Sequence, residues 1–195
     1  RALYEHPNAA AAATRSQPEP GRKITVVVKG LEKTFGAVTA LRDVSFDLAP
    51  GRLSALVGHN GAGKTTLIKL LLGLIHADRG TVRMLDEDPA AGEFSARRQL
   101  GYLPENVAFN VALTGRETLT FYARLKQIKP SSAWPLLDRV CLTAAADRRV
   151  GTYSKGMRRR LGLAQAPLGR PRVLLLARPT TGLDPALRQT FYEIL

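Results

Sequence analysis

Five residues stand at a spacing that can hold a phosphate: Gly58, Gly61, Gly63, Lys64 and Thr65. They belong to Gly58-His59-Asn60-Gly61-Ala62-Gly63-Lys64-Thr65-Thr66, in which a glycine, four residues and Gly-Lys-Thr follow one another as in a phosphate-binding loop. Glycines let backbone N–H groups curl around an anion, and a helix that follows aims about half a positive charge at the same point. The pattern gives Lys64 the β- and γ-phosphates of a nucleotide and the Thr65 hydroxyl a Mg²⁺ ion. The alternative is a glycine-rich turn between two elements. At average residue usage the pattern arises by chance in roughly one chain of this length in a hundred.

The flanks must place the loop. Leu53-Ser54-Ala55-Leu56-Val57 reads as a short buried strand, and residues 66–72 read as a helix stopped near Gly73. Upstream, residues 24–28 and 44–48 read as strands, and Pro50-Gly51 turns into the strand that feeds the loop. Lys33-Thr34-Phe35-Gly36 falls between the first two strands; Phe35 could stack on a nucleotide base or belong to the core. Residues 81–84 are a further strand, and 100–104 are an apolar stretch closed by Pro104, with Glu105 next. Helices are expected over 116–127, on Leu119, Tyr122, Ala123 and Leu125, over 134–142 and from Lys155. Residues 172–176 form a continuous apolar run of the kind found in a buried parallel strand, and 180–185 form a turn into a last helix. The chain has no internal repeat.

Length and composition suit one α/β domain with a substantial core: the chain has 195 residues, 45% of them hydrophobic. It begins at Arg1 and ends in a helical pattern, so both ends read as cut. Residues 1–22 are Ala- and Pro-rich and read as a disordered tail or the remnant of a targeting segment. The single cysteine, Cys141, forms no internal disulfide and suits a reducing compartment. No apolar run approaches the roughly 20 residues of a membrane span, which predicts a chain soluble by itself. The net charge of +13 is uneven, with 11 Lys/Arg against three acids over 139–195. Its densest cluster, Arg158-Arg159-Arg160, lies on an expected helix without interleaved aromatics. It reads as a solvated or phosphate-facing surface, or one near an anionic membrane, and no specific nucleic-acid partner is expected.

The order of motifs resembles the nucleotide-binding domain of ABC transporters. Four segments carry the resemblance: the phosphate loop; Gly101-Tyr102-Leu103-Pro104-Glu105, where the family's Q-loop falls; Tyr153-Ser154-Lys155-Gly156-Met157, where its signature falls; and 180–185, like its D-loop, with Asp184. The likeness covers residues 24–195. It implies an α/β P-loop NTPase fold with a mainly parallel sheet core, an antiparallel β part and a helical subdomain at about 106–165, in a domain spanning 23–195 and truncated at its C-terminus. It implies ATP and Mg²⁺ as cofactors, with Phe35 on the adenine. It also implies a homodimer packed head to tail, in which Ser154, Lys155, Gly156 and Met157 face the partner's ATP. The domain is expected on the cytoplasmic face of the cell membrane, against a separate transmembrane permease. Residues 106–125 are expected to dock there through Val107, Phe109 and Val111. A finer resemblance, on Gly58-His59-Asn60, 102–107, 115–119 and 153–158, is to the ATP-binding subunit of the copper-processing ABC system that serves nitrous-oxide reductase maturation.

Two departures bear on chemistry. Where the family carries Asp-Glu after its apolar strand, this chain has Ala177-Arg178, and Glu105 replaces the Q-loop glutamine. In the family the Asp holds the Mg²⁺ shell and the Glu polarises the attacking water; here the pair changes from −2 to +1. That leaves Lys64 and Glu105 as the side chains expected at the reacting phosphates. Pro167 should end the helix that follows the signature, because a proline inside a helix costs about 3 kcal/mol. Two readings follow: a transporter motor, whether copper-specific or a generic exporter, and a nucleotide-binding regulatory subunit that no longer hydrolyses ATP. A third, a protein acting on nucleic acid or ribosomes, rests on charge alone.

Overall fold

A computed structural model describes residues 3–5, 25–92 and 94–178, without the side chains of 3–5 and Phe94. It has two compact units, Arg1–Arg97 and Arg98–Leu195. In the first, β2 (Val26–Phe35) and β3 (Val38–Leu48) make an antiparallel hairpin, and β5 (Arg79–Met84) pairs with the other edge of β2. Val26, Val28 and Leu31 point inward with Met84. Both hairpin strands outrun the apolar stretches at 24–28 and 44–48, so Lys33-Thr34-Phe35 is the end of β2 and not a linker. The cause is a set of register shifts between Val28 and Thr34. Bulges carry the strand onward while breaking the alternation by which strands are read.

The strand that feeds the phosphate loop is β4 (Ser54–Leu56), paired antiparallel with β1 (Leu3–Glu5). Leu3–Glu5 falls within the expected tail, whose remaining residues lie outside those described. The burial expected of 53–57 is absent: Leu53 is 65% exposed and Val57 57%. An apolar run states what a strand could bury, whereas burial itself depends on neighbours, and among the described residues β4 pairs with β1 alone. Helix α1 (Lys64–Leu71) follows, with Leu67, Leu70 and Leu71 on its buried side. It stops at Gly73, where φ is +65° and a Cβ would lie 1.9 Å from the Pro89 carbonyl oxygen. A short helix α2 (Phe94–Arg98) was not expected; five residues are too few to show a helical period.

The second unit is built on β6 (Leu100–Leu103) and β7 (Val173–Leu176), which pair in parallel, Leu103 opposite Leu176. Helices α3 (Gly115–Leu125), α4 (Pro135–Arg139) and α5 (Lys155–Gln165) bury Leu119, Leu137 and Leu161 in one cluster with Leu103. The helix expected at 134–142 shrinks to α4, preceded by a 3₁₀ turn at Pro130–Ala133 and ended by Cys141 at φ +54°. Helix α5 ends at Gln165, before Pro167, as the missing N–H of proline requires. Gly101 lets the end of α5 approach, since a Cβ there would lie 2.2 Å from the Ala166 carbonyl oxygen. Val107 and Phe109, expected to be exposed, instead pack against the core: a Cβ at Gly162 would meet Val107 at 3.0 Å, and Phe109 sits edge-on to Tyr122 at 6.1 Å. Val111 is exposed, together with Phe121 and Leu125 of α3. Among the described residues no helix is long and apolar enough to cross a membrane.

The start of α3 is set by a reciprocal cap. Thr114 Oγ1 accepts from the Glu117 N–H at 3.1 Å, and Glu117 Oε2 accepts from the Thr114 N–H at 2.8 Å. These bonds hold the Glu117 carboxyl below its ordinary value. Thr114→Ala should therefore lower the urea midpoint of this unit by the equivalent of about 1 kcal/mol, and Thr114→Ser should restore most of it. Trp134, 5.2 Å from Arg116 of α3, is the fluorescent reporter. Because the folded value of Glu117 is depressed, its contribution is present above the ordinary carboxylate range and is lost as the pH falls through the folded value. The gap between wild type and Glu117→Gln should narrow over that acid window.

Candidate functional site

The phosphate loop turns from β4 into α1 on glycines that the backbone requires. Gly61 has φ +84° and Gly63 φ +80°. A Cβ at Gly63 would also lie 2.4 Å from the Ala40 carbonyl oxygen and 2.7 Å from Leu41 Cδ2, so the loop is pressed onto β3 at a point where only glycine fits. Gly63 is the N-cap of α1. It offers no side-chain hydrogen bond, and the first turn of the helix holds no acid. The first N–H groups of a helix have no partner within it; here no side chain caps them, and they face the loop. Lys64 Nζ donates to the Gly58 and His59 carbonyl oxygens, both at 2.6 Å. The cation is thus folded back onto the loop, where an anion would displace those carbonyls. His59 Nδ1 lies 2.7 Å from the Asn60 carbonyl oxygen, and Gly58, His59, Asn60, Gly61, Ala62 and Thr65 are exposed, with Thr66 half-buried.

Phe35 belongs to the same unit. It pairs with Val38 across the hairpin end, and Ala40, which the loop touches, is two residues further along β3, about 7 Å. The ring is 49% exposed and has Lys33 Nζ at 5.4 Å from its centroid. Lys33 also pairs with Asp78 at 2.7 Å, and that contact holds the Asp78 carboxyl below its ordinary value. The ring is therefore not core. It is an accessible aromatic face on the strand pair that supports the phosphate loop.

In the second unit the parallel register does the positioning. Leu103 opposes Leu176, so Glu105 and Arg178 each stand two residues beyond the same rung, at the carboxyl ends of adjacent strands. They meet: Arg178 Nη1 lies 3.0 Å from Glu105 Oε1, with both side chains about half exposed. Arg159 of α5 binds the backbone behind them, donating from Nη1 to the Glu105 carbonyl oxygen at 3.0 Å and from Nη2 to that of Arg178. Partial burial lowers the Arg159 pKa, against the opposing pull of the Glu105 charge. Arg159 is thus half-buried against backbone, in place of the solvated or phosphate-facing surface expected of Arg158-Arg159-Arg160. The signal that could have found it is spacing, because it precedes Gly162 and Leu163 by three and four residues and so shares their buried face.

The signature residues start α5. Ser154 is its N-cap, accepting from the Met157 N–H at 3.1 Å, and its hydroxyl hydrogen is left for another acceptor. A Cβ at Gly156 would meet nothing nearer than Ser154 Oγ at 3.8 Å, so this glycine faces open space. Lys155 is exposed and Met157 packs toward the core. The buried Tyr153 hydroxyl donates to the Ala145 carbonyl oxygen at 2.6 Å, anchoring the segment, and burial raises its pKa. Asp184 and the D-loop-like segment lie outside the described residues. Ala177 supplies no side-chain oxygen, and among the described residues no cluster of three His, Cys, Asp or Glu could hold a metal.

Comparison with known proteins agrees with this arrangement. The ABC transporter family model matches residues 41–181. The doxorubicin resistance ATP-binding protein DrrA of Mycobacterium tuberculosis is 39% identical over 178 residues, 88% of this chain and 54% of that protein. A Nod factor export ATP-binding protein I of Rhizobium sp. is 36% identical over 181 residues, 89% of this chain and 58% of its own. The chain spans about half the length of the curated relatives it matches. A solved ATP-binding subunit of an ABC transporter superposes with a TM-score of 0.82 at 31% identity, covering 87% of this chain and 72% of that one. With a family match over most of its length and the phosphate loop built as described, the chain belongs to the ABC transporter family, as an α/β P-loop ATP-binding domain.

Proposed function

We propose that the chain is the ATP-binding motor domain of an exporter-type ABC transporter. It binds ATP on the phosphate loop, pairs head to tail with a second copy and pushes on a separate transmembrane permease from the cytoplasmic side of the membrane. The observation that carries this reading is the loop itself. A helix start without a side-chain cap, two left-handed glycines and the Lys64 ammonium stand together in one short loop, a combination suited to phosphate. In that role the loop N–H groups from Gly58 to Thr66 cradle the phosphates, Phe35 stacks on the adenine, and Ser154 and Gly156 donate to the nucleotide of the partner copy. Export is favoured by the relatives, a doxorubicin resistance ATP-binding protein and a Nod factor export ATP-binding protein. The copper-maturation likeness rests on motif wording in residues that would not contact copper.

For Mg²⁺, Thr65 is the hydroxyl ligand that the loop motif supplies. Where the family resemblance implies an Asp and a Glu after the apolar strand, this chain carries Ala177, which has no donor, and Arg178, which is positively charged. The same pair favours a second reading, a nucleotide-binding regulatory subunit with little turnover.

Three measurements test these readings. Lys64→Ala should weaken binding of a fluorescent ATP analogue by about 10- to 100-fold, the loss of one charged hydrogen-bonding group; unchanged affinity rules out the loop as the site. Steady-state phosphate release by the protein should be about 10²–10⁴ slower than expected of an enzyme with a positioned general base. Ala177→Asp with Arg178→Glu should raise it, and equal rates before and after would show that this strand end has no part in hydrolysis. For docking, cysteines placed at the exposed Asn106 and Asn110 should cross-link to the permease in membranes. Labelling from Arg172 instead, with none from these two sites, would move the docking face.

A further inference from the structure

The strand that carries Phe35 ends in a clamp. The ladder between β2 and β5 stops at Glu32 and Arg79, while the hairpin with β3 runs on to Phe35 and Val38. Beyond the last rung with β5, the end of β2 meets a carboxylate. Asp78 Oδ2 accepts from the Thr34 N–H and Oδ1 from Lys33 Nζ, both at 2.7 Å. The Asp78 N–H donates to the Glu32 carbonyl oxygen at 3.0 Å, so the acid is fixed to the strand that it holds. Lys33 Nζ then lies over the Phe35 ring, 5.4 Å from its centroid. A lysine has a flexible four-carbon stem, and an ammonium over an exposed phenyl is held only weakly. The carboxylate is what fixes this cation: the Lys33 side chain is only 16% exposed, while Phe35 is half open to solvent. With the cation on one face of the ring, a planar group has the other face to stack on.

We propose that Asp78 is a positioning residue for nucleotide binding, which sets the Phe35 ring for the base through Lys33 and Thr34. This role rests on the ATP reading above, in which Phe35 stacks on the adenine. Lys33, Thr34, Phe35 and Asp78 all belong to the unit that holds the phosphate loop. A ring held in place before the ligand arrives loses less freedom on binding, and the contact is tighter for it. Asp78 itself touches no part of the nucleotide, so its effect passes through the ring. That effect is bounded by the stacking of the base and is absent for a ligand that has none.

Binding of a ribose-labelled fluorescent ATP analogue, and of inorganic tripolyphosphate in competition with it, separates base from phosphate. Phe35→Ala should weaken the analogue roughly fivefold or more, the loss of one stacked base, and leave tripolyphosphate unchanged. Asp78→Ala should weaken the analogue about two- to fivefold, the range of a half-exposed ion pair, again sparing tripolyphosphate. In the Phe35→Ala background it should add nothing. Asp78→Asn keeps an acceptor for the Thr34 N–H but loses the charge that holds Lys33, and its loss should be smaller. Should Asp78→Ala weaken tripolyphosphate as well, Asp78→Asn decides, because there the backbone bond is retained. Wild-type affinity in both Asp78 variants, an equal loss of both ligands in Asp78→Asn, or a loss that persists without the Phe35 ring overturns the clamp and leaves ATP binding intact. Unchanged nucleotide affinity in Phe35→Ala overturns stacking on this ring, and the clamp with it. A wild-type chain that binds neither ligand overturns the ATP reading itself.

Discussion

The parallel ladder between Leu100–Leu103 and Val173–Leu176 is the constraint on which the second unit depends. Parallel strands cannot be joined by a tight turn, so residues 104–172 must leave one strand and return to the other. Helices α3, α4 and α5 all lie in that excursion. Its helices cover the ladder with apolar side chains, and Leu103 is completely buried among them. The ladder also transmits position. The Ala177 N–H donates to the Leu103 carbonyl oxygen at 2.9 Å, extending the pairing past the last named residue of β7. Whatever side chains occupy the next positions on each strand are therefore neighbours. Here they are an acid and a base.

Helix termini show a second economy. Helices α3 and α5 are capped by side chains of their own, Thr114 and Ser154. Helix α1 is not: its N-cap is a glycine that must be glycine for steric reasons, and the residues ahead of it are loop. The three helices differ in what satisfies their first N–H groups. Two have a side-chain cap, and the third has none, with Lys64 resting on loop carbonyls beside it.

Charge has a similar division of labour. Residues 98–178 contain 15 Lys/Arg and only four acids, Glu105, Glu117, Asp138 and Asp147. Each of the four is engaged: Glu105 with Arg178, Glu117 in the cap of α3, Asp138 with the Thr143 hydroxyl, and Asp147 with Arg116 at 2.7 Å. Over residues 98–178, carboxylates go to fixing turns and strand ends, and none stands at position 177 or 178.

Local physics made much of this protein legible without coordinates. The phosphate loop is legible because glycine spacing and a single lysine are demanded by backbone geometry and by charge. The parallel strand at 173–176 is legible as a continuous apolar run, although only Val173 is buried and Leu174–Leu176 are half-buried, and the end of α5 is legible because proline has no N–H. The extents of β2 and β3 were not, since bulges erase the period-two signal. The burial of 53–57 was not, since apolarity is a property of the chain and coverage a property of its neighbours. Nor was Val107 and Phe109 turning inward, which follows from the space left at Gly162. Above all, nothing local in Glu105 or Arg178, 73 positions apart, announces that they touch. Only the register of two parallel strands, held by the packing of the helices between them, brings that carboxylate and that guanidinium within hydrogen-bonding distance.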